Sequence, residues 1–421
     1  MRFMSLVTGT AIALAGLSSA FAQDTLKMGV IGPMTGPGAQ WGLAAAGGVQ
    51  IAAKEVNDKG GLKVGDKTYR IEVVPYDEQY KASVAISAMQ RLVNQDGIKF
   101  VFGPVSSAGT LAVMDISRDT KTIGITGAYS SKALDPSNPY MFRVYSVASD
   151  FAEPMVKWLK KNVPTATRVA IVNPNDETGW DSDKLLTELY KKYGYMVVAK
   201  ELYERSVRDY IPILTKILAE KPDLLDVGTA PPASAGLIVR QARELGYKGH
   251  IVKIGGSGPR QIIEAAGKDA AEGVINYIPA DEQNPAYQRL AADFKTMTGN
   301  EMNPLLVNWY DGAYILMAAI QAAGTVTDTD KVRQAFAKAL PRKSVLGGTI
   351  ELGGKNLYGI DNAFLTTNYI GVIKHGDVVA VGTAGTCWSH IRRASGQSTS
   401  QNNRLGITRA RPQALRTGGR G

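Results

Sequence analysis

Three short segments put glycine or small hydroxyl residues directly after apolar runs, where a strand would end and a helix begin. The first is VIGPMTGPGAQWG, residues 30–42, with Gly36, Gly38 and Gly42 spaced G-x-G-x-x-x-G. A dinucleotide-binding turn needs G-x-G-x-x-G and an acidic residue about 20 positions further on. Here the spacing is one residue longer, Pro37 separates the first two glycines, Trp41 crowds the third, and Asp77 lies too far along. The segment reads as a strand-to-helix turn that needs glycine, not as a phosphate cradle.

The second segment is FGPVSSAGT, residues 102–110. The free N–H groups of a helix start at Ser107, together with the Ser106 and Ser107 hydroxyls, would suit a carboxylate, helped by the helix dipole. One of these serines can equally be a plain N-cap. The third segment, ITGAYSS at 125–131, offers Ala128 and Ser130 at the next strand end, so both segments would lie side by side in a parallel sheet.

Catalytic chemistry has little to stand on. The three histidines are His250, His375 and His390, none beside a nucleophile motif, and G-x-S-x-G is absent. GGKN at 353–356 is not a P-loop, and no metal-ligand spacing occurs, so no cofactor is expected. Asp281 and Glu282 read as a solvated acidic pair.

The surrounding chain sets the context. Of its 421 residues 44% are apolar, enough for two or more lobes with their own cores. Residues 1–22 read as a secretory signal: Arg2, a short apolar core, and the small-x-small pattern Ala20-Phe21-Ala22. No later apolar run reaches the roughly 18 residues of a membrane span, so an exported, soluble protein in the periplasm is expected. The formal charge of +10 is concentrated in residues 383–421, which hold seven arginines and no acid. Without that tail the body is nearly neutral, which argues against nucleic acid as a partner. The tail is rich in Gly, Ser, Thr and Gln, reads as disordered and as a candidate non-native extension, and contains the lone Cys387.

From residue 25 short β-rich runs alternate with helical ones, and the pattern restarts at RVAIVNP, residues 168–174, after a break near 143–150. Three helices follow at about 285–299, 305–323 and 328–340, then a strand-rich end with a KHGD turn at 374–377. Alternating βα units imply parallel sheets with helices on both faces. The expected fold is α/β: two doubly wound parallel-sheet lobes joined by a three-crossover hinge. The first lobe takes residues 24–145 and 281–355, the second 146–280 and 356–382. Ligands in such sheets sit at the carboxyl ends of the strands.

The segments LKMGVIGPMTGPGAQWG, IAAKEVNDKGGL, VFGPVSSAGT, IGITGAYSS and LIVRQARELGYKG together resemble the periplasmic solute-binding components of ABC importers, of the leucine/isoleucine/valine-binding type. The resemblance covers about residues 25–382. It implies a type I periplasmic binding fold, no catalysis, a small ligand held between the lobes, and docking of the loaded monomer on an inner-membrane permease. It makes Ser107 the carboxylate-holding serine, Ala128 a carbonyl position and Ser130 a contact to both ligand ends. Trp41 becomes the aromatic lining of the side-chain pocket, flanked by Val105 and Ser106. On the second lobe the equivalent positions fall at Thr178, at Ala230 or Pro231, and at Ser257.

Ser257 departs from the family pattern, which has an acid there to pair with the ligand ammonium. A buried ammonium without a carboxylate costs on the order of several kcal/mol. The expectation is therefore a carboxylate ligand without an α-ammonium, with Trp41, Tyr129 and Tyr145 suiting an aromatic acid. A branched-chain amino acid and a sensing role are the alternatives.

Overall fold

The run Asp24–Gly32 buries Leu26 and every residue from Met28 to Gly32, the pattern of a strand covered on both faces. It is β1 in a computed structural model that describes residues 24–384. Next come α1 (Ala39–Asp58), β2 (Leu62–Val64), β3 (Lys67–Asp77), α2 (Ala82–Asn94), β4 (Phe100–Phe102), α3 (Ser107–Asp119), β5 (Ile123–Thr126) and β6 (Met141–Arg143). The middle of the chain holds α4 (Ala148–Asn162), β7 (Arg168–Pro174), α5 (Glu177–Lys192), β8 (Met196–Tyr203), α6 (Ile211–Ala219) and β9 (Leu224–Asp226). It continues with α7 (Pro232–Glu244), β10 (His250–Lys253), α8 (Pro259–Ala266), α9 (Lys268–Ala271) and β11 (Ile275–Ile278). The last part holds α10 (Pro285–Thr298), α11 (Leu306–Ala323), α12 (Thr329–Ala339), β12 (Arg342–Lys343), β13 (Thr349–Gly353), α13 (Lys355–Tyr358), β14 (Ala363–Leu365), β15 (Tyr369–Lys374) and β16 (Asp377–Thr383).

Two sheets result. The first has the order β12-β13-β14-β6-β5-β4-β1-β3-β2, the second β16-β15-β11-β10-β9-β7-β8. Neighbours from β3 to β14 and from β8 to β11 are parallel, and the edges are antiparallel. The chain passes between sheets three times: after β6, after β11 and after β14.

Helix α11 is buried along most of its length and lies against α1. The contact is close because α1 presents glycines there. A Cβ on Gly48 would stand 2.7 Å from the Leu306 carbonyl oxygen and 2.9 Å from the Tyr310 nitrogen. The late helical group therefore packs back on the first sheet.

Three expectations need correction. The final return to the second sheet does not begin at residue 356, because Ala363 in β14 still pairs with Arg143 in β6. The elements β13, α13 and β14 are too short to show a period. Helix α4 occupies a stretch the sequence pattern leaves blank. Pro154 interrupts it, yet Phe151, Ala152, Met155, Val156 and Leu159 form a buried face, and Asp150 accepts the Val147 N–H at 2.8 Å. The body also extends past Gly382: Thr383 ends β16, and the Ala384 N–H donates to the Asn368 carbonyl at 2.8 Å. The signal segment 1–22, and the tail from residue 385 with Cys387, lie outside the described residues. Among the described residues no helix is long and apolar enough to cross a membrane.

Candidate functional site

Each site loop hangs from the carboxyl end of a parallel strand. After β1, Asp77 at the end of β3 holds the Met34 N–H at 2.8 Å and the Thr35 hydroxyl at 2.5 Å, which fixes the glycine-rich turn. Gly42 permits the turn, since a Cβ there would meet the Pro33 carbonyl oxygen at 2.1 Å. The first turn of α1 then carries Trp41 toward the second sheet. Its indole N–H donates to the Ser257 carbonyl at 2.9 Å, and a Cβ on Gly256 would strike its ring.

After β4, the buried Glu78 organises the start of α3. Its Oε1 accepts the N–H groups of Val105 and Ser106 at 3.1 and 2.7 Å, and its Oε2 accepts the Ser106 hydroxyl at 2.8 Å. Burial pushes the Glu78 carboxyl up to about 7 against these hydrogen bonds. Ser106 also caps α3 through Gly109 N–H. Its hydroxyl and N–H are thus committed to the protein, which corrects the reading of Ser106 as part of a ligand cradle.

Ser107 is fully buried as well. Its Oγ accepts the Ser130 N–H at 3.1 Å, from the loop after β5, and the Thr178 hydroxyl at 3.1 Å, from the first turn of α5. The amino ends of α3 and α5, one from each sheet's helical layer, therefore meet at this hydroxyl pair. Helix geometry leaves the first-turn N–H groups there without intrahelical acceptors. Ala128 is buried with its N–H on Thr126 Oγ1 at 2.9 Å, and the Ser130 carbonyl accepts Arg143 Nη2 at 2.7 Å.

These loops line a narrow cavity between the two sheets. Six aromatic residues line it: Trp41, Tyr80, Tyr129, Tyr145, Phe151 and Tyr277. Val105, Val147 and Leu305 add apolar wall, and Ser146, Thr178 and Thr229 are the polar side chains. Among the described residues, none that lines the cavity is an Asp or Glu. No group of three or more His, Cys, Asp or Glu among the described residues could hold a metal.

Of the positions the sequence singles out, Ser106, Ser107, Ala128, Ser130, Pro231 and Ser257 do not line the cavity. Trp41, Val105, Tyr129, Tyr145 and Thr178 reach the wall. Pro231 is only the N-cap position of α7, and Thr229, two residues earlier, lines the cavity instead. Ser257 contributes its carbonyl to Trp41 and to Asn303 Nδ2 at 2.9 Å, while Gly256 forms the wall. Tyr80, which closes the YDEQY segment after β3, lines the cavity with no local sequence signal to mark it. The guanidinium of Arg205, paired with Asp176, stacks 3.9 Å from the Tyr80 ring centroid and ties the loop after β8 to the loop after β3.

Comparison with known proteins agrees with this architecture. A family profile described as "Periplasmic binding protein" matches residues 25–367. The Leu/Ile/Val-binding protein BraC3 of Rhizobium johnstonii is 30% identical over 336 residues, covering 79% of this chain and 89% of that protein. The structure of LivJ from Streptococcus pneumoniae, in complex with isoleucine, superposes with a TM-score of 0.73 at 22% identity, covering 86% of this chain and 99% of LivJ. A solute-binding protein from R. palustris, in complex with benzoate, gives a TM-score of 0.72 at 18% identity, covering 86% of this chain and 97% of its own. At those identities the two structures bear on the fold alone. The profile and the relative together establish that the chain belongs to the type I periplasmic binding proteins of the branched-chain amino acid family.

Proposed function

We propose that this protein is an extracytoplasmic carrier that delivers a small carboxylate, an aromatic acid without an α-amino group, to an ABC importer. The observation that carries the reading is the cavity's composition: six aromatic side chains, the hydroxyl side chains of Ser146, Thr178 and Thr229, and no lining carboxylate, with Ser107 and Ser130 bonded in a chain behind Thr178. A carboxylate can be held by helix N-termini and hydroxyls. An ammonium in the same cavity would lack a counter-charge, at a cost of several kcal/mol, on the order of its desolvation.

In this reading Ser107 and Ser130 hold the carboxylate, Thr178 closes over it, and Trp41, Tyr80 and Tyr129 enclose the ring. The segment 1–22 directs export, and the monomer docks on an inner-membrane permease after loading. It acts as a carrier, not a catalyst.

A second reading, a branched-chain amino acid, is favoured by the name of the 30% identical relative. A thermal-shift panel separates the two, because a true ligand stabilises by RT ln(1 + [L]/Kd). Benzoate, 4-hydroxybenzoate and hydroxycinnamates should raise the melting temperature, and leucine, isoleucine and valine should not. The reverse pattern rules out the aromatic-acid reading.

A further inference from the structure

Lys253 ends β10 and is 1% exposed. Its ammonium lies 5.8 Å from the Trp41 ring and donates one hydrogen bond, to the Gly228 carbonyl at 3.1 Å. Gly228 precedes Thr229, and Trp41, Thr229 and Gly256 all line the cavity. The charge therefore stands one residue layer behind the cavity wall.

Its nearest acid offsets it only in part. Asp226, on the adjacent strand β9, makes no ion pair with Lys253. Its Oδ1 accepts the N–H groups of Gly228 and Ile254 at 2.8 and 3.3 Å, and its Oδ2 accepts the Tyr190 hydroxyl at 2.9 Å. The next cation, Arg205, is already paired with Asp176. An ammonium has three N–H donors, and Lys253 uses one of them within the protein. Burial lowers the Lys253 pKa to about 7, opposed by the nearby Asp226 charge. An anion in the cavity favours its charged form, and a cation disfavours it.

We propose that Lys253 sets the charge specificity of the cavity: it strengthens binding of ligands that are purely anionic and rejects ligands that bring an α-ammonium. The proposal rests on the cavity being the ligand site, but not on the ligand being aromatic. Charge acts across one wall layer because the interior screens poorly.

Two ligand pairs differ only by the α-ammonium: 3-phenylpropionate with phenylalanine, and 4-methylpentanoate with leucine. Titration calorimetry on the full-length protein at about pH 6.5 should show each acid binding at least about tenfold tighter than its amino acid. Lys253→Met should lower that preference about tenfold, and Lys253→Arg should keep it. If Lys253→Met does not fold, Lys253→Met/Asp226→Asn removes both buried charges and should show the same lowered preference. An unchanged preference in the neutral variant overturns the proposal and assigns the discrimination to the missing acid at Ser257. A wild-type preference for either amino acid, or no binding of either acid, also overturns it. If only 4-methylpentanoate binds, and outbinds leucine, the aromatic reading fails and the role of Lys253 stands.

Discussion

Trp41 and Ser257 belong to different sheets, yet the indole N–H of one donates to the carbonyl of the other at 2.9 Å. The indole is thus a wall of the cavity and a tie across it at once. Ser107 with Thr178, and Tyr80 with Arg205, make two further ties between the same halves. Each tie includes one residue of the cavity wall, Trp41, Thr178 or Tyr80, so occupancy of the cavity and contact between the halves would be coupled through these three.

Trp41→Phe tests that coupling. Phenylalanine keeps an aromatic wall and loses the N–H. The Ser257 carbonyl retains Asn303 as a donor, so no acceptor is orphaned and the loss is one ordinary hydrogen bond, about 0.5–1.5 kcal/mol. The Kd of the best ligand should rise about 3- to 10-fold by calorimetry. A Kd within error of wild type means the tie contributes nothing to closure.

Ser107 and Thr178 call for a double-mutant cycle. Ser107→Ala removes the acceptor shared by the Ser130 N–H and the Thr178 hydroxyl, and Thr178→Val removes only the cross-sheet donor. Ser107→Ala should weaken carboxylate binding more than Thr178→Val, by about tenfold or more. The double variant should be less than additive, because both changes delete one shared bond. Full additivity places the two hydroxyls in separate roles.

What could be read in advance follows from where physics is local. Ser107, Ser130, Thr178 and Trp41 sit at strand ends beside glycines, and strand ends in parallel sheets are where ligands bind. Glu78 and Lys253 carry no such mark. A carboxylate after a strand reads as solvated, and a lysine closing an apolar run reads as its boundary. Their burial comes from loops and helices distant in sequence, which no local pattern encodes. The displacement from Pro231 to Thr229 has the same origin, since β9 is three residues long and gives the register little to hold. The sheet-crossing order was legible because the βα periodicity restarts, while β13 and β14 were too short to place.

The approach of α1 to α11 predicts an effect with the opposite sign to helix propensity. In an isolated helix Gly→Ala stabilises by about 1 kcal/mol. At Gly48 the new methyl would meet backbone atoms of Leu306 and Tyr310 below 3.0 Å, and such overpacking costs about 1–3 kcal/mol. Gly48→Ala should therefore lower the unfolding free energy, measured by urea denaturation. A stabilised variant would show that the two helices separate at little cost.

Glu78 gives a pH-dependent prediction whose sign can be worked out. Burial raises its folded-state value to about 7 from an ordinary 4.5, partly offset by the donors at Val105 and Ser106. Between those values the folded chain holds a proton that the unfolded chain has lost, so this group's contribution to stability falls as pH rises from about 4.5 to about 7. Lys253 works the other way above about 7, where the unfolded chain holds the extra proton and stability rises with pH. Glu78→Gln keeps an oxygen for the two N–H groups and an N–H for the Ser106 hydroxyl, so it imitates the protonated carboxyl without titrating. Relative to wild type it should gain stability as pH rises from about 5 to 7, by up to 2–3 kcal/mol as an order of magnitude, then level off. Urea unfolding of both proteins at about pH 5, 6, 7 and 8 measures the difference. A difference that does not change with pH means Glu78 titrates normally, and the loop that presents Ser107 is then held by an ionised carboxylate throughout.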